Sequence, residues 1–189
     1  MVDEMIEMAL EEAKDRMEKA LDHLRHELNA IRAGRATPAM LEGVKVDYYG
    51  SQTPINQMAS VSAPQGDLLV VQPWDATALA DIEKAITAAN LGVTPSNDGS
   101  IIRIPIPQLT EERRKELAKT AKGKGEDARV SVRNIRRHSK DDIKSVQESE
   151  NLSEDMRFEG EDLLQKLTDE YIKKIEDILK HKEKDIMEV

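Results

Sequence analysis

The densest chemistry in this sequence is a run of cations. Between Arg113 and Lys140 stand eleven Lys or Arg against three acids, Glu116, Glu126 and Asp127, a local excess of +8. The whole chain carries −9, so the remainder holds −17. A block of one sign on a protein of the other is the charge pattern of a polyanion-binding face. At about 100° per residue, Lys122, Arg129, Arg133, Arg136 and Lys140 fall within an arc of about 60°. Leu117, Ala121, Ala128, Val132, Ile135 and Val146 fall on a separate, neighbouring arc. One face therefore packs inward while the next shows a row of cations, Arg136 among them, to solvent. Acids at the i±4 positions that would neutralise the row are nearly absent, with Glu126 the clear candidate. Arginine dominates the second half of the row, and its planar fork suits phosphate better than a lysine does. The competing reading is an ordinary solvated face balanced by glutamates of the next helix. The pattern alone leaves RNA, another polyanion and that solvated face open.

Other candidate chemistry is thinner. His23 and His26 share a helix face, but no acid stands with them in a metal-ligand spacing, so no metal site is expected. Gly123 and Gly125 follow no strand and lack phosphate-loop spacing, and read as weak points of a long helix at about 1 kcal/mol each relative to alanine. Ser139 beside His138 has no third partner in reach by sequence. Trp74 reads as a core or strand-end residue. There are no cysteines, which removes disulfides and thiolate chemistry and fits a reducing cytoplasm. Nothing assembles nucleophile, base and stabiliser, so neither an enzyme nor a cofactor is expected.

These side chains must be held by elements that the patterning predicts. The 189 residues are 34% charged and 39% hydrophobic, and only 3% aromatic, too few for a large β core or a base-stacking platform. No run approaches the ~18 apolar residues of a membrane span, and the acidic start, Met1 to Leu10, does not read as a targeting segment. Leu10, Ala13, Met17, Ala20 or Leu21, Leu24, Leu28 and Ile31 recur at steps of three and four, which predicts a first helix. Alternation at Val44, Val46 and Tyr48, a short candidate at 58–63 and an apolar run at 68–71 predict strands. One amphipathic helix is expected over 78–89, ended at Gly92, and a turn at 96–99 leads to a strand over 101–104. Helical period returns after Thr110 and runs into the 140s. A third helix starts at Ser153, with a seam at Met156, Leu163 or Leu164, Leu167, Tyr171, Ile175 and Ile178.

The expected fold is therefore α+β: a long antiparallel three-helix bundle from 1–31 and 107–189, with a small β/α/β domain, 32–106, inserted between its first two helices. The chain crosses into and out of the insert at Arg32–Pro38 and Ile104–Pro107. Gly34 loosens one crossing and Pro105 and Pro107 stiffen the other, so that the two act as a hinge within an elongated L.

Four segments carry a resemblance: 31–36 (Ile-Arg-Ala-Gly-Arg-Ala), 46–50 (Val-Asp-Tyr-Tyr-Gly), 109–115 (Leu-Thr-Glu-Glu-Arg-Arg-Lys) and 132–137 (Val-Arg-Asn-Ile-Arg-Arg). In this order and spacing they resemble the signature segments of bacterial-type ribosome recycling factors over essentially the whole chain. The resemblance implies a translation factor that binds the post-termination ribosome and, with elongation factor G and GTP hydrolysis by that partner, splits it into subunits. It implies that the bundle lies on large-subunit rRNA near the peptidyl-transferase centre, and that elongation factor G pushes the insert about the hinge. Position by position it implies RNA contacts at Arg114, Arg129, Arg133, Arg136 and Arg137, foremost Arg133 and Arg136, to which the arc adds Lys122 and Lys140. The hinge maps to Arg32, Ala33, Gly34, Arg35 and Ala36 and to Ile104, Pro105, Ile106 and Pro107. The expected protein is monomeric, without membrane contact. His138 after the paired arginines, the glycines at 123 and 125, and the loop around 149–156 depart from the family pattern. The alternative is a helical adaptor or chaperone-like protein that holds another protein through its seams.

Overall fold

The computed structural model describes residues 2–31 and 34–188. The chain divides into two compact units, residues 1–32 with 111–189, and residues 33–110. Residues 107–110, expected with the bundle, group with the inserted unit.

The first unit is built from α1 (Glu4–Asn29), α3 (Glu111–Ser149) and α4 (Glu154–Met187), each packed against the other two. Local chemistry starts two of them. The Asp3 carboxylate accepts from the Met5 N–H at 2.8 Å, and the Ser153 hydroxyl accepts from the Met156 N–H at 3.3 Å, satisfying amides that a helix start leaves without partners. At 39 residues α3 is the longest element, about 60 Å at the usual rise. Side chains of Ile6 and Ile143 both lie over Gly160, Tyr171 reaches Glu18, and Lys124 reaches Glu27. These pairings run α1 and α4 parallel and α3 antiparallel to both.

Of the predicted seams, Ala13, Met17, Leu21, Val132 and Ile175 are fully buried; Ile143 and Ile186, outside them, are buried as well, and in α4 Thr168 and Leu179 are buried where Leu167 and Ile178 are half-buried. Where the sequence left two choices, the bundle takes Leu21 over Ala20 and Leu164 over Leu163, which stays 37% exposed. Ile6 extends the α1 seam one turn earlier than expected. Tyr171 is 1% exposed and its hydroxyl donates to Glu18 Oε2 at 2.6 Å; burial, then that carboxylate, pushes its pKa up. Helix α3 runs unbroken through both glycines. A Cβ at Gly125 would collide with Leu179, whereas one at Gly123 would meet nothing. Gly125 is thus a close-approach position that lets α4 seat against α3, not the weak point its sequence context suggested.

In the second unit β1 (Lys45–Tyr48) and β2 (Ser51–Pro54) form a hairpin. Then β3 (Ala59–Gln65), β4 (Leu68–Pro73), β5 (Ser96–Asn97) and β6 (Ile102–Pro105) make an antiparallel sheet in the order β3-β4-β6-β5, with α2 (Leu79–Ala88) packed on β1. The core gathers Val46, Leu69, Val71, Ile82, Ile102 and Ile104, all at 0% exposure. Apolar patterning predicts neither β2, whose Ser51-Gln52-Thr53-Pro54 carries no apolar alternation, nor β5, which is two polar residues.

The hairpin turns on Tyr49 and Gly50, with φ of 50° and 81°. Positive φ at both central positions is the geometry that Asn-Gly prefers, so a tyrosine there is strained. Replacing Tyr49 by asparagine is expected to leave the insert folded and to raise its melting temperature slightly, read by thermal unfolding; a marked fall would mean that the exposed ring holds the hairpin.

Candidate nucleic-acid interface

The cation row rides on α3, along its border with α4. Side chains of Arg133 and Lys140 are 50% and 56% exposed, and Lys122 and Arg137 are exposed with no ion pair among the described residues. Of these four, Lys122 and Arg137 present free charge. Others are engaged. Arg129, at 24% exposure, pairs with Glu126 at 3.1 Å, and Arg133 stands 3.6 Å from the same carboxylate. Arg136 is half-buried, and its Nη1 donates to Gln165 Oε1 on α4 at 3.3 Å, which corrects its placement on the solvent face. Lys140 lies 3.7 Å from Glu161, which also holds Arg157 at 3.6 Å. The near absence of balancing acids therefore holds within α3 but not across the groove, because α4 contributes Glu161. Arg114, in the second turn of α3, is half-buried, with its Nε enclosed and without a hydrogen-bond partner.

This electrostatic pattern is what a backbone-reading face requires. Cations repeat along one helix line and acids sit at its edges, where they pin arginine forks without covering them. A shallow groove at Lys122, Arg129, Glu176 and Glu183 continues the row between α3 and α4. It mixes both signs and brings together no nucleophile and base. No described helix is long and apolar enough to cross a membrane, and the described residues contain no cluster of three His, Cys, Asp or Glu able to hold a metal. His23 lies 3.5 Å from Glu27, within a helix-surface pair.

The described residues of the two crossings are packed and hydrogen-bonded within the insert. Arg32 and Ala33 lie outside the described residues. Gly34 has φ of 77°, and a Cβ there would stand 2.9 Å from Leu109 Cγ, so both its conformation and its closeness to Leu109 specify glycine. Arg35 is exposed. Ala36 is 6% exposed and its N–H donates to the Gly66 carbonyl at 2.9 Å. Ile104 is fully buried in β6, Pro105 ends that strand opposite Leu68, and Ile106, 7% exposed, donates its N–H to the Asp67 carbonyl at 2.7 Å. Both crossings are thus tied to the β3–β4 turn. Ile104 to Ile106 belong to the insert's sheet and core, leaving Pro107 to Thr110 as the stretch outside any strand or helix.

Trp74 is at a strand end, as read, but is 67% exposed and so no core residue. Gln165 and Glu161 were invisible to a reading confined to α3. Their distance from Arg136 and Lys140 in sequence hid them, and only the antiparallel seating of α4 brings them across.

Comparison with known proteins bears on the whole chain. Residues 24–187 match the family model described as "Ribosome recycling factor". A ribosome-recycling factor of Bacillus licheniformis is 57% identical over 186 residues, covering 98% of this chain and 100% of the relative. One from Salinibacter ruber is 52% identical over 189 residues, covering 100% of both. A solution structure of ribosome recycling factor superposes with a TM-score of 0.82 at 42% identity and full coverage of both chains. A second solved structure, at TM-score 0.64 and 44% identity, covers 99% of this chain and 100% of its own. It is described as models for the T. thermophilus ribosome recycling factor and the E. coli elongation factor G bound to the E. coli post-termination complex. Matched over residues 24–187 by the family model and over 98% or more of its length by relatives above 50% identity, this chain belongs to the ribosome recycling factor family.

Proposed function

We propose that this protein binds the ribosome after termination and, with elongation factor G, separates it into subunits. The observation that carries the reading is the 44%-identical relative described with elongation factor G on a post-termination complex. The exposed cations of α3 agree with it. Lys122, Arg133, Arg137 and Lys140 contact phosphates of large-subunit rRNA near the peptidyl-transferase centre, with Arg129 and Arg136 held ready by Glu126 and Gln165 and Arg114 at the helix start. Counterion release then makes binding strongly salt-dependent. The protein acts as a cytoplasmic monomer without a cofactor, and elongation factor G supplies GTP hydrolysis.

The insert receives the push. Because Ala36 and Ile104 to Ile106 are fixed within the insert, bending falls outside them and, among the described residues, concentrates in Pro107–Thr110. A bundle of continuous seams carries the displacement without yielding, since its core is close-packed. An adaptor that grips a protein through those seams is disfavoured, because Met17, Leu21, Ile143 and Ile175 are consumed in the bundle's own core.

Sedimentation of post-termination ribosomes with this protein, elongation factor G and GTP is expected to yield free subunits. Omission of any one component should leave the ribosomes intact. Intact ribosomes in the presence of all three, with an elongation factor G preparation active in translocation, would overturn the reading.

A further inference from the structure

Three of the five aromatic residues in this chain lie together in the insert, Tyr48 touching Tyr49 and sharing a cleft with Trp74. Their placement is costly. Tyr49 occupies a left-handed turn position and is 85% exposed, and Trp74 is 67% exposed. The Tyr48 and Tyr49 rings meet edge to face at 4.5 Å between centroids. Tyr48, Trp74 and Asp75, with Thr53, Gln57 and Met58, line a cleft of about 150 Å³. The cleft is built rather than incidental. The Trp74 N–H donates to the Met58 carbonyl at 3.1 Å, fixing the backbone beneath the indole. The Tyr48 hydroxyl donates to Asp75 Oδ2 at 2.8 Å, and the Thr77 N–H and hydroxyl donate to Oδ1 at 3.0 and 2.6 Å.

Those bonds, Thr77 first, hold the Asp75 carboxyl below its ordinary pKa, and Oδ2 keeps capacity for another donor. An indole face beside a carboxylate is the chemistry that receives a guanidinium or ammonium group. The surrounding charge agrees. Residues 33–110 hold four Lys or Arg against seven Asp or Glu, a net of −3, which repels a nucleic-acid backbone and favours a basic protein surface. The cleft is also too small for a nucleotide and has no cation in its lining.

We infer that this cleft, walled by Tyr48 and Trp74 with the Asp75 carboxylate at its side, takes an arginine or lysine side chain of elongation factor G. The inference rests on the proposed recycling function and supplies the point at which the partner grips the insert. Trp74 is the anchor, in keeping with the dominance of tryptophan, tyrosine and arginine in the energetic centres of protein interfaces.

The test measures the rate of subunit splitting against elongation factor G concentration for the wild type, Trp74→Ala and Trp74→Phe. Trp74→Ala is expected to raise the half-saturating concentration by about tenfold or more, the loss of a desolvated cation–π contact, and Trp74→Phe to restore most of it. Binding of each variant to post-termination ribosomes without elongation factor G should equal that of the wild type. Unchanged half-saturation in a Trp74→Ala protein with native melting behaviour would overturn the inference while leaving the recycling function standing. Weakened binding without elongation factor G would also overturn it, by placing the cleft against the ribosome. A wild type that never splits ribosomes would sink the function itself.

Discussion

Replacing Arg133, Arg137 and Lys140 together by alanine is expected to lower affinity for post-termination ribosomes by about a thousandfold at moderate salt. Hydrogen bonds to charged groups contribute on the order of 1.5–3 kcal/mol, so about tenfold per cation is a conservative figure. Each phosphate neutralised also adds between about 0.7 and 0.9 to the slope of log affinity against log salt. The triple variant should therefore bind with a slope shallower by roughly 2 to 3, and its deficit should shrink as salt rises. These three are chosen because their removal strands nothing. Glu126 keeps Arg129 at 3.1 Å, Glu161 keeps Arg157 at 3.6 Å, and Arg137 has no ion pair among the described residues. Exposed pairs of this kind contribute about 0–1 kcal/mol to folding, so thermal unfolding should barely move. Arg136 is a poorer probe than its position in the row suggests, since removing it also breaks the bond to Gln165 on α4. A triple variant with wild-type affinity and slope would show that this face is not the grip.

The second large effect is on stability, and its sign reverses between two glycines two residues apart. At Gly125 a Cβ would lie 2.7 and 2.8 Å from Leu179 Cδ2 and Cγ, and closer still to Cδ1. Leu179 is 5% exposed within the bundle core, so the whole side chain must change rotamer among packed neighbours. Overpacking of this kind costs about 1–3 kcal/mol, more than the ~1 kcal/mol that alanine gains over glycine in a helix. At Gly123 nothing lies within 4 Å of the added Cβ, so the propensity gain stands alone. Gly125→Ala should therefore lower the bundle's melting temperature by several degrees and Gly123→Ala should raise it, at about 2–4 °C per kcal/mol for a chain of this size. If both substitutions stabilise, Leu179 has room to move and the α3–α4 spacing is not set at Gly125.

That reversal marks the limit of what could be read from residue types. The seams of α1, α3 and α4 were legible because a bundle repeats one rule over many turns, and each missed position, such as Ile6, costs little when its neighbours agree. The cation row was legible for the same reason. A single close approach has no repeat. Gly125 and Gly123 look alike until α4 is seated, and Gly34 looked loose until Leu109 was placed over it. Angle alone places Arg136 on the solvent face, yet the angle says nothing of the facing helix, which brings Gln165 within reach. In the insert, strands with apolar alternation such as β1 could be found. Polar β2 exists because β1 and the Tyr49–Gly50 turn fold it back, a cause that lies outside its own residues. Residue type leaves Trp74 between the core and a strand end, and the structure takes the second, 67% exposed just past the end of β4.

Ala36 and Ile106 are both fastened to the turn at Gly66 and Asp67, so the insert gathers its two ends without help from the helices. During synthesis the apolar stripe of α1 emerges about eighty residues ahead of α3, a wait of roughly 4 to 16 s at ordinary elongation rates. Within that interval the insert can close on itself as a finished knot, keeping its strand edges away from the waiting stripe. The bundle, whose α4 packs on both α1 and α3, cannot close until that last helix has left the tunnel.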